Sequence, residues 1–266
     1  AEGEAALRKK LGLDRAIPVQ YALWLGRTLK GDMGETILDR KPVSRVVTQR
    51  LPTTVHLGAV AFLASFAFGI PLGMLSAVKR GSFWDYAGRF FALLGQAVPS
   101  FWLGLVLILL FAVQWKIFPA GLKGDSIWDV KHLVLPSITL AAGGFAFYMR
   151  ITRTAMLQVL DSEYVRLARA KGVNNNMVIW KHAFKNALIQ PLTGMTLGLT
   201  FFLTGSVLVE TIFAWPGMGQ MAITAVNNND FPLLQGIVFF FTILFVSCTF
   251  LCDLLYAYID PRIRYD

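Results

Sequence analysis

The sequence predicts an all-α membrane protein, a polytopic bundle of transmembrane helices. Only 15% of its 266 residues are charged and the mean hydropathy is +0.55, whereas about a quarter of the residues of an average soluble protein are charged. In addition, Lys and Arg cluster at the ends of long apolar segments. These observations identify lipid as the solvent for most of the chain.

Five apolar segments are long enough to cross a hydrocarbon core, which takes about 20 residues of helix. They lie at 54–78, 90–114, 133–151, 188–209 and 232–257. Internal Gly and Pro residues do not argue against these segments, because transmembrane helices tolerate both more readily than soluble helices do. We therefore expect five membrane-spanning helices.

Basic residues in the short loops predict the orientation of the chain. Twelve of them lie in 79–89, in 149–187 and in the C-terminal tail, whereas three lie in 115–132 and 210–231. The positive-inside rule places the richer set, and with it the C-terminus, in the cytoplasm. The same clustering accounts for the net charge of +9 without a nucleic-acid partner.

Residues 1–50 differ from the rest of the chain. They hold ten basic and six acidic residues, which favours short amphipathic helices in water or at the membrane interface. By the orientation above, this segment is extracytoplasmic, and residues 51–266 form the transmembrane domain. No apolar stretch follows a basic start, so we expect no signal peptide.

The cytoplasmic loop at 157–187 carries basic and carboxamide side chains on two short predicted helices. Asp161 or Ser162 can cap the first helix, and its first turn holds Glu163 at the positive end of the helix dipole. Gly172 suits the left-handed residue that ends this helix. The loop is either a knob that docks in a groove of a partner or a charged loop that only sets topology.

Several stretches resemble one known family. "YVRLARAKGV" and "HAFKNALIQPL", both from this loop, are similar to the cytoplasmic coupling loop, or EAA loop, of ABC importer permeases. Of the generic Glu-Ala-Ala motif ahead of Gly172, only Ala168 matches. This departure from the generic motif looks like the usual form of the loop in the dipeptide, oligopeptide and nickel branch. "VETIFAWPGMGQ" and "DLLYAYIDPRIRY" resemble the periplasmic and C-terminal signatures of that branch.

The resemblance covers essentially the whole chain and implies a type I ABC importer permease. Such a protein is expected to have six spans, so that five are visible here and a first one would precede residue 1. The permease would lie in the inner (cytoplasmic) membrane of a bacterium or archaeon and form half of a translocation pathway. The expected cargo is a di- or oligopeptide, and nickel, glutathione or a sugar is the alternative.

The family also implies partners: a second homologous permease, two nucleotide-binding subunits that hold ATP and magnesium, and an extracytoplasmic substrate-binding protein. The chain agrees, since its sequence holds no G-x-x-x-x-G-K-[ST] motif to cradle phosphates. We expect no catalysis, cofactor or metal on the chain itself. The residues expected to contact the ATPase subunit form one run: Ser162, Glu163, Tyr164, Arg166, Leu167, Ala168, Arg169, Ala170, Lys171 and Gly172.

Four further residues are candidates for lining the translocation pathway. Gln96, Pro99 and Ser100 interrupt the second predicted span at mid-depth, and the backbone groups that Pro99 frees are tolerated only where they face protein or water. A packing kink is the alternative. Glu210, at the outer end of the fourth predicted span, is a candidate for the outer mouth or for contact with a binding protein. Its alternative is a capping or topology role.

Two other classes of function are less consistent with the sequence. A channel or secondary transporter predicts inverted repeats or charged residues in mid-membrane, and none is evident apart from Asp253. That carboxylate is expected to pair with Arg150 or Arg153 in a structural role. A membrane enzyme predicts clustered His, acidic or nucleophile motifs, which the sequence does not show.

Overall fold

A computed structural model describes residues 15–124, 126 and 129–259 of the protein, so that residues 1–14 and the basic C-terminal tail lie outside the described residues. In the described part the regular structure is helical, apart from an isolated bridge between Glu35 and Pro42. The helices are α1 (Ile17–Leu29), α2 (Val43–Val78), α3 (Phe83–Ala97), α4 (Ser100–Leu107, continued by the π-helical Ile108–Gln114), α5 (Val130–Leu160), α6 (Glu163–Ala170), α7 (Asn175–Met177, the π-helical Val178–Phe184, and Lys185–Ala187), α8 (Ile189–Thr193), α9 (Met195–Ile212), α10 (Met218–Asn227) and α11 (Phe231–Ile259). The all-α prediction is confirmed.

Three of these helices are long and apolar enough to cross a membrane: α2, α5, and α11 as far as Leu254. The described part gains a fourth crossing if α3 and α4 together count as one bent span. The predicted fourth span, 188–209, is divided between α8 and α9, which meet at Gly194. The chain is therefore a multi-pass membrane protein, and its described part holds fewer uninterrupted spans than the sequence predicts.

The predicted span 90–114 is broken in the middle. α3 ends at Ala97, α4 begins at Ser100, and the two helices are bent by 107°. Val98 lies in the extended region at φ −83° and ψ 122°. The ring of Pro99 explains this, because a proline disfavours helical backbone in the residue before it. The predicted interruption at Pro99 is confirmed, and it is a sharp turn.

α5 is the central helix of the bundle, since 61% of its most apolar stretch is buried, against 11% for α11. α2 lies directly against it. A side-chain carbon at Gly73 of α2 would fall 2.5 Å from the carbonyl oxygen of Met149 on α5. Across the same interface, Ser65 Oγ donates to the carbonyl oxygen of Ala141 at 2.9 Å. Because lipid provides no hydrophobic drive between helices, such close contacts and hydrogen bonds hold the pair together.

The segment before α2 and the first turns of α2 dock on the chain around α10 and the start of α11. The Ile37 N–H donates to Asp230 Oδ2 at 2.9 Å, and Arg50 Nη1 donates to the carbonyl oxygen of Pro216 at 3.1 Å. The domain boundary predicted at residue 50 falls inside α2, which runs continuously through it. The segment is therefore joined to the bundle by a helix and by contacts with the loops at that end.

A buried ion pair fixes the opposite end of α2. The carboxylate of Asp85, at the start of α3, accepts from Arg153 Nε at 2.8 Å and from Arg153 Nη2 at 3.0 Å. It also accepts from Ser76 Oγ of α2 at 2.6 Å and from the Gly81 N–H of the intervening turn at 3.0 Å. Arg153 thus pairs with Asp85, and Arg150 donates to Gln96, so the expected structural pairing of Asp253 with Arg150 or Arg153 is wrong. One carboxylate joins α2, α3 and α5.

Replacing Asp85 with Asn should destabilise the protein by about 3 kcal/mol, because Arg153 would keep a largely buried charge without its counter-charge. Unfolding by sodium dodecyl sulfate in mixed micelles measures the change in free energy. Asp39→Asn is the matched control: Asp39 pairs with Lys41 at 3.1 Å, but both side chains are more than half exposed. Its loss should stay below about 1 kcal/mol, and equal losses in the two variants would contradict the role given to Asp85.

Candidate functional site

The short helix α6 begins directly after the central helix and is anchored by one side chain. α5 ends at Leu160, and α6 starts at Glu163. Val165 is the buried residue of α6, with no exposed surface. Sequence reasoning missed Val165, because a lone valine among charged residues in a helix of two turns gives no periodic signal. The anchor leaves the other faces of α6 open to a partner.

The end of α6 is fixed by its backbone. Gly172 has φ +77°, in the left-handed region. Its N–H donates to the carbonyl oxygen of Arg169 at 3.0 Å, and the Val173 N–H donates to that of Ala168 at 3.2 Å. These are the two hydrogen bonds of a Schellman motif, which satisfies the last carbonyl groups of a helix. The left-handed residue predicted at Gly172 is confirmed.

The start of α6 differs in one detail from the expected cap. Ser162 occupies the N-cap position, but its hydroxyl donates to the carbonyl oxygen of Val159 at 2.5 Å, and no side chain caps α6. Glu163 lies in the first turn and pairs with Arg166 at 2.9 Å. The predicted helix start is therefore correct, and the predicted side-chain cap is wrong.

The second helix of the loop, α7, supports the first. The Tyr164 hydroxyl of α6 accepts from Asn186 Nδ2 of α7 at 3.0 Å. On its other face, α7 buries Ile179 and Ala183 in a cluster with Ala77 of α2 and with α5. The loop is therefore seated on the ends of the two packed helices, and a displacement of the loop acts on both.

Large apolar side chains nevertheless remain on the outer surface of the loop. Tyr164 and Leu167 of α6 and Met177 and Trp180 of α7 are all about half exposed. A loop that only sets topology has no use for exposed aromatic residues at its tip, whereas such clusters are typical of protein–protein contacts. The geometry favours the docking interpretation.

Three of the four candidate pathway residues meet at one cleft. Gln96, Pro99 and Ser100 line a cavity of about 340 Å³ between the α3–α4 bend and α5. Phe147 and Arg150 of α5 line the same cavity, and Arg150 Nη1 donates to Gln96 Oε1. Sequence reasoning used Arg150 only for topology and as an expected partner of Asp253. Its spacing from Phe147, one turn apart on α5, could have indicated a shared face.

Glu210 lies away from this cleft and is fully buried. Its Oε2 accepts from the N–H groups of Gly219, at 2.6 Å, and Gln220, at 3.1 Å. Both groups belong to the first turn of α10, where a carboxylate satisfies free donors at the positive end of the helix dipole. Of the two roles left open for Glu210, the structure shows the capping role.

A protein-family model described as the binding-protein-dependent transport system inner membrane component matches residues 69–265. This range includes the coupling loop and the residues of the cleft. The chain belongs to this family.

The permease is similar to curated relatives along nearly its whole length. It is 39% identical over 265 residues to a putative peptide transport system permease protein of Brucella abortus, covering 98% of this chain and 84% of the relative. It is 36% identical over 291 residues to the dipeptide transport system permease protein DppB of Escherichia coli, covering 99% and 86%. The oligopeptide transport system permease protein AppB of Bacillus subtilis is 39% identical over 264 residues, covering 97% and 84%.

Solved structures show the same fold at lower identity. An inward-facing structure of the MetNI methionine ABC transporter matches with a TM-score of 0.65 at 17% identity, covering 81% of this chain and 96% of that chain. A crystal structure of an amino acid ABC transporter with histidines matches with a TM-score of 0.59 at 19% identity, covering 80% and 94%. The expected fold, that of a type I ABC importer permease, is confirmed.

Replacing Glu210 with Ala should destabilise the permease by about 1–3 kcal/mol, because two N–H groups at the start of α10 would lose their buried acceptor. Glu210→Gln keeps a carbonyl oxygen and should lose less. Thermal unfolding in detergent measures both changes. Glu163→Ala is the control, because that carboxylate is exposed and its ion pair with Arg166 is solvated. A drop for Glu210→Ala no larger than for Glu163→Ala would rule out the capping role.

Proposed function

We propose that the chain is the permease subunit of an ATP-driven importer and forms half of the translocation pathway for di- or oligopeptides. The substrate class follows the relatives, which are named as peptide permeases at 36% to 39% identity. A second homologous permease would complete the pathway, two ATPase subunits would drive it, and an extracytoplasmic binding protein would deliver the peptide. Hydrolysis of ATP with magnesium is assigned to the ATPase subunits.

The coupling loop is the observation that supports this proposal most directly. α6 presents Tyr164 and Leu167 to the outside, while Val165 anchors it and Gly172 ends it sharply. A short helix held in this way fits a groove on a partner, as amphipathic helices do in other complexes. The run from Ser162 to Gly172 is therefore the proposed contact with the ATPase subunit.

The orientation follows from the two ends of α2. The basic turn after Val78 lies at the same end as the coupling loop, because Ala77 packs in one cluster with Met156 and Ala183. Residues 15–42 lie at the other end of α2, beside α10. We place the coupling loop in the cytoplasm and residues 1–50 outside, in agreement with the basic residues of the short loops.

In the proposed mechanism, ATP-driven closure of the two ATPase subunits moves α6. α5 follows, since it continues directly into the loop, and carries Phe147 and Arg150 of the cleft with it. The cleft at Gln96, Pro99 and Ser100 then opens to one side of the membrane or to the other. This is a conformational switch with two states, and ATP binding on the partner subunits shifts the balance between them.

The test is transport by the assembled complex. The permease, expressed with the partner subunits encoded in its native host, is purified in mild detergent and reconstituted in proteoliposomes. We expect two ATPase subunits to copurify and labelled dialanine to accumulate only with ATP and the binding protein present. Accumulation of nickel or a sugar in its place would replace the substrate, and the absence of any ATPase subunit would overturn the proposed function.

Gly172→Val should uncouple ATP hydrolysis from uptake. A β-branched residue at φ +77° strains the end of α6 by about 1–2 kcal/mol, which corresponds to a factor of about 5–30 in a coupled equilibrium. We expect peptide uptake per ATP hydrolysed to fall by that factor while the ATPase subunits still copurify. Both quantities are measured in the same proteoliposomes.

Gly31→Val is the matched control, because Gly31 has φ +85° and ends α1 with the same pair of hydrogen bonds. The Gly31 N–H donates to the carbonyl oxygen of Thr28, and the Asp32 N–H donates to that of Arg27. The backbone strain is the same, but the site lies at the opposite end of the molecule from the coupling loop. Equal uptake per ATP in the two variants would remove the special role given to the turn at Gly172.

A further inference from the structure

We propose that Arg150 binds the carboxylate of the transported peptide in the cleft beside the α3–α4 bend. This inference rests on the proposed function, because it assigns the substrate group that the pathway recognises. It adds to that function a specificity residue on the permease itself, in addition to any selection by the binding protein.

The charge of Arg150 is not balanced within the cleft. Among the described residues that line it, none is acidic. The hydrogen bond from Arg150 Nη1 goes to the neutral amide oxygen of Gln96. A guanidinium has five N–H donors in a fixed fork that matches the two oxygens of a carboxylate. The cleft therefore offers a cation whose natural partner is an anionic group from outside the chain.

Arg153, one turn further along α5, shows the contrast. Its guanidinium is four-fifths buried and binds both oxygens of Asp85. That arginine is a structural residue whose charge is neutralised within the fold. Arg150 is on the same helix but exposed, and the residue across the cleft from it is a glutamine. Two arginines so close together, with such different partners, indicate two different roles.

The broken helix adds to the field in the cleft. α4 begins at Ser100, and both Pro99 and Ser100 line the cavity. The first turn of a helix presents free N–H groups and the positive end of the helix dipole. In transporters with broken helices, such N-termini point at anionic groups of the substrate. Here the N-terminus of α4 and the guanidinium of Arg150 both contribute positive charge to the same cleft.

The size of the cleft is sufficient for a short peptide. Its 340 Å³ lies at the lower end of the range of about 300–1,000 Å³ for small-molecule sites. Val98, Leu103 and Phe147 give it an apolar wall for a side chain. An apolar groove of about 1,010 Å³, lined by residues such as Phe68 and Trp84 and by no charged side chain, adjoins the cleft at Val98 and Leu103.

The test compares the uptake of labelled dialanine with that of dialanine amide, which lacks the carboxylate, by the reconstituted transporter. Arg150→Gln should lower uptake of the acid by about 10- to 100-fold, the range expected for hydrogen bonds to a charged group, and lower uptake of the amide far less, because the amide has no charge for the guanidinium to bind. Arg150→Lys should recover part of the uptake of the acid, since it keeps the charge but not the fork.

Arg89→Gln is the matched control, because Arg89 is exposed on α3 and does not line the cleft. It should behave as the unmodified chain towards both substrates. An equal fall in acid and amide uptake for Arg150→Gln would overturn the proposal, and loss of copurified phospholipid from that variant would then assign Arg150 to a lipid phosphate. No change in either uptake would overturn it as well.

A second measurement separates this site from transport as such. Ser100→Cys introduces a thiol at the cleft, and its alkylation is followed above the background of Cys248 and Cys252. We expect dialanine, but not its amide, to slow the alkylation, and Arg150→Gln to abolish the difference. If the complex imports no peptide but dialanine still slows the alkylation, the proposed function fails and the carboxylate site is supported. If dialanine and its amide give equal alkylation rates, the carboxylate site is overturned.

Discussion

The buried pair of Asp85 and Arg153 determines where α3 lies, and the rest of that end of the bundle depends on that position. α3 buries the side chains of Asp85 and Ala92 and approaches α5 closely at Gly88 and Gly95. In lipid there is no hydrophobic drive to press a helix against its neighbours. The carboxylate adds to these contacts, since it accepts four hydrogen bonds from α2, from the turn and from α5. α3 then carries Gln96 to the cleft.

The same pair makes α3 and α5 move together. Arg150 lies one turn before Arg153 on α5, and about 15 Å of helix separates it from Leu160, where the coupling loop follows. A displacement of the loop therefore reaches Arg150 through continuous backbone, and reaches Gln96 through the ion pair. The break between α3 and α4 lies immediately beyond. The two walls of the cleft on α3 and α5 thus form one unit, and α4, beyond the bend, is the part against which that unit can turn.

Local signals in the sequence predicted local features. Gly172 ends α6 as its residue type and neighbours indicate, and Pro99 breaks the helix because its ring disfavours helical backbone in the residue before it. What the sequence could not show depends on how helices meet. Asp85 and Arg153 are 68 residues apart, and no periodicity connects them. The sequence did not decide the role of Glu210, because the N–H groups that donate to its carboxylate lie in a turn that folds back onto it. Only the packing of the helices shows this contact.

Among the following hydrogen bonds of the described residues, the one across the cleft costs the least free energy to replace. At one end, Glu210, Asp230 and Thr54 are buried and accept backbone N–H groups of other segments, and each such group left unsatisfied would cost about 1–3 kcal/mol. At the other end, the Asp85 pair costs still more to separate. Across the cleft, the hydrogen bond between Arg150 and Gln96 joins two exposed side chains, and water replaces it at little cost. A carboxylate that displaces Gln96 from Arg150 would therefore replace this bond at little cost, while the Asp85 pair keeps α3 on α5, so that the two helices still move as one unit against α4 when the cleft is occupied.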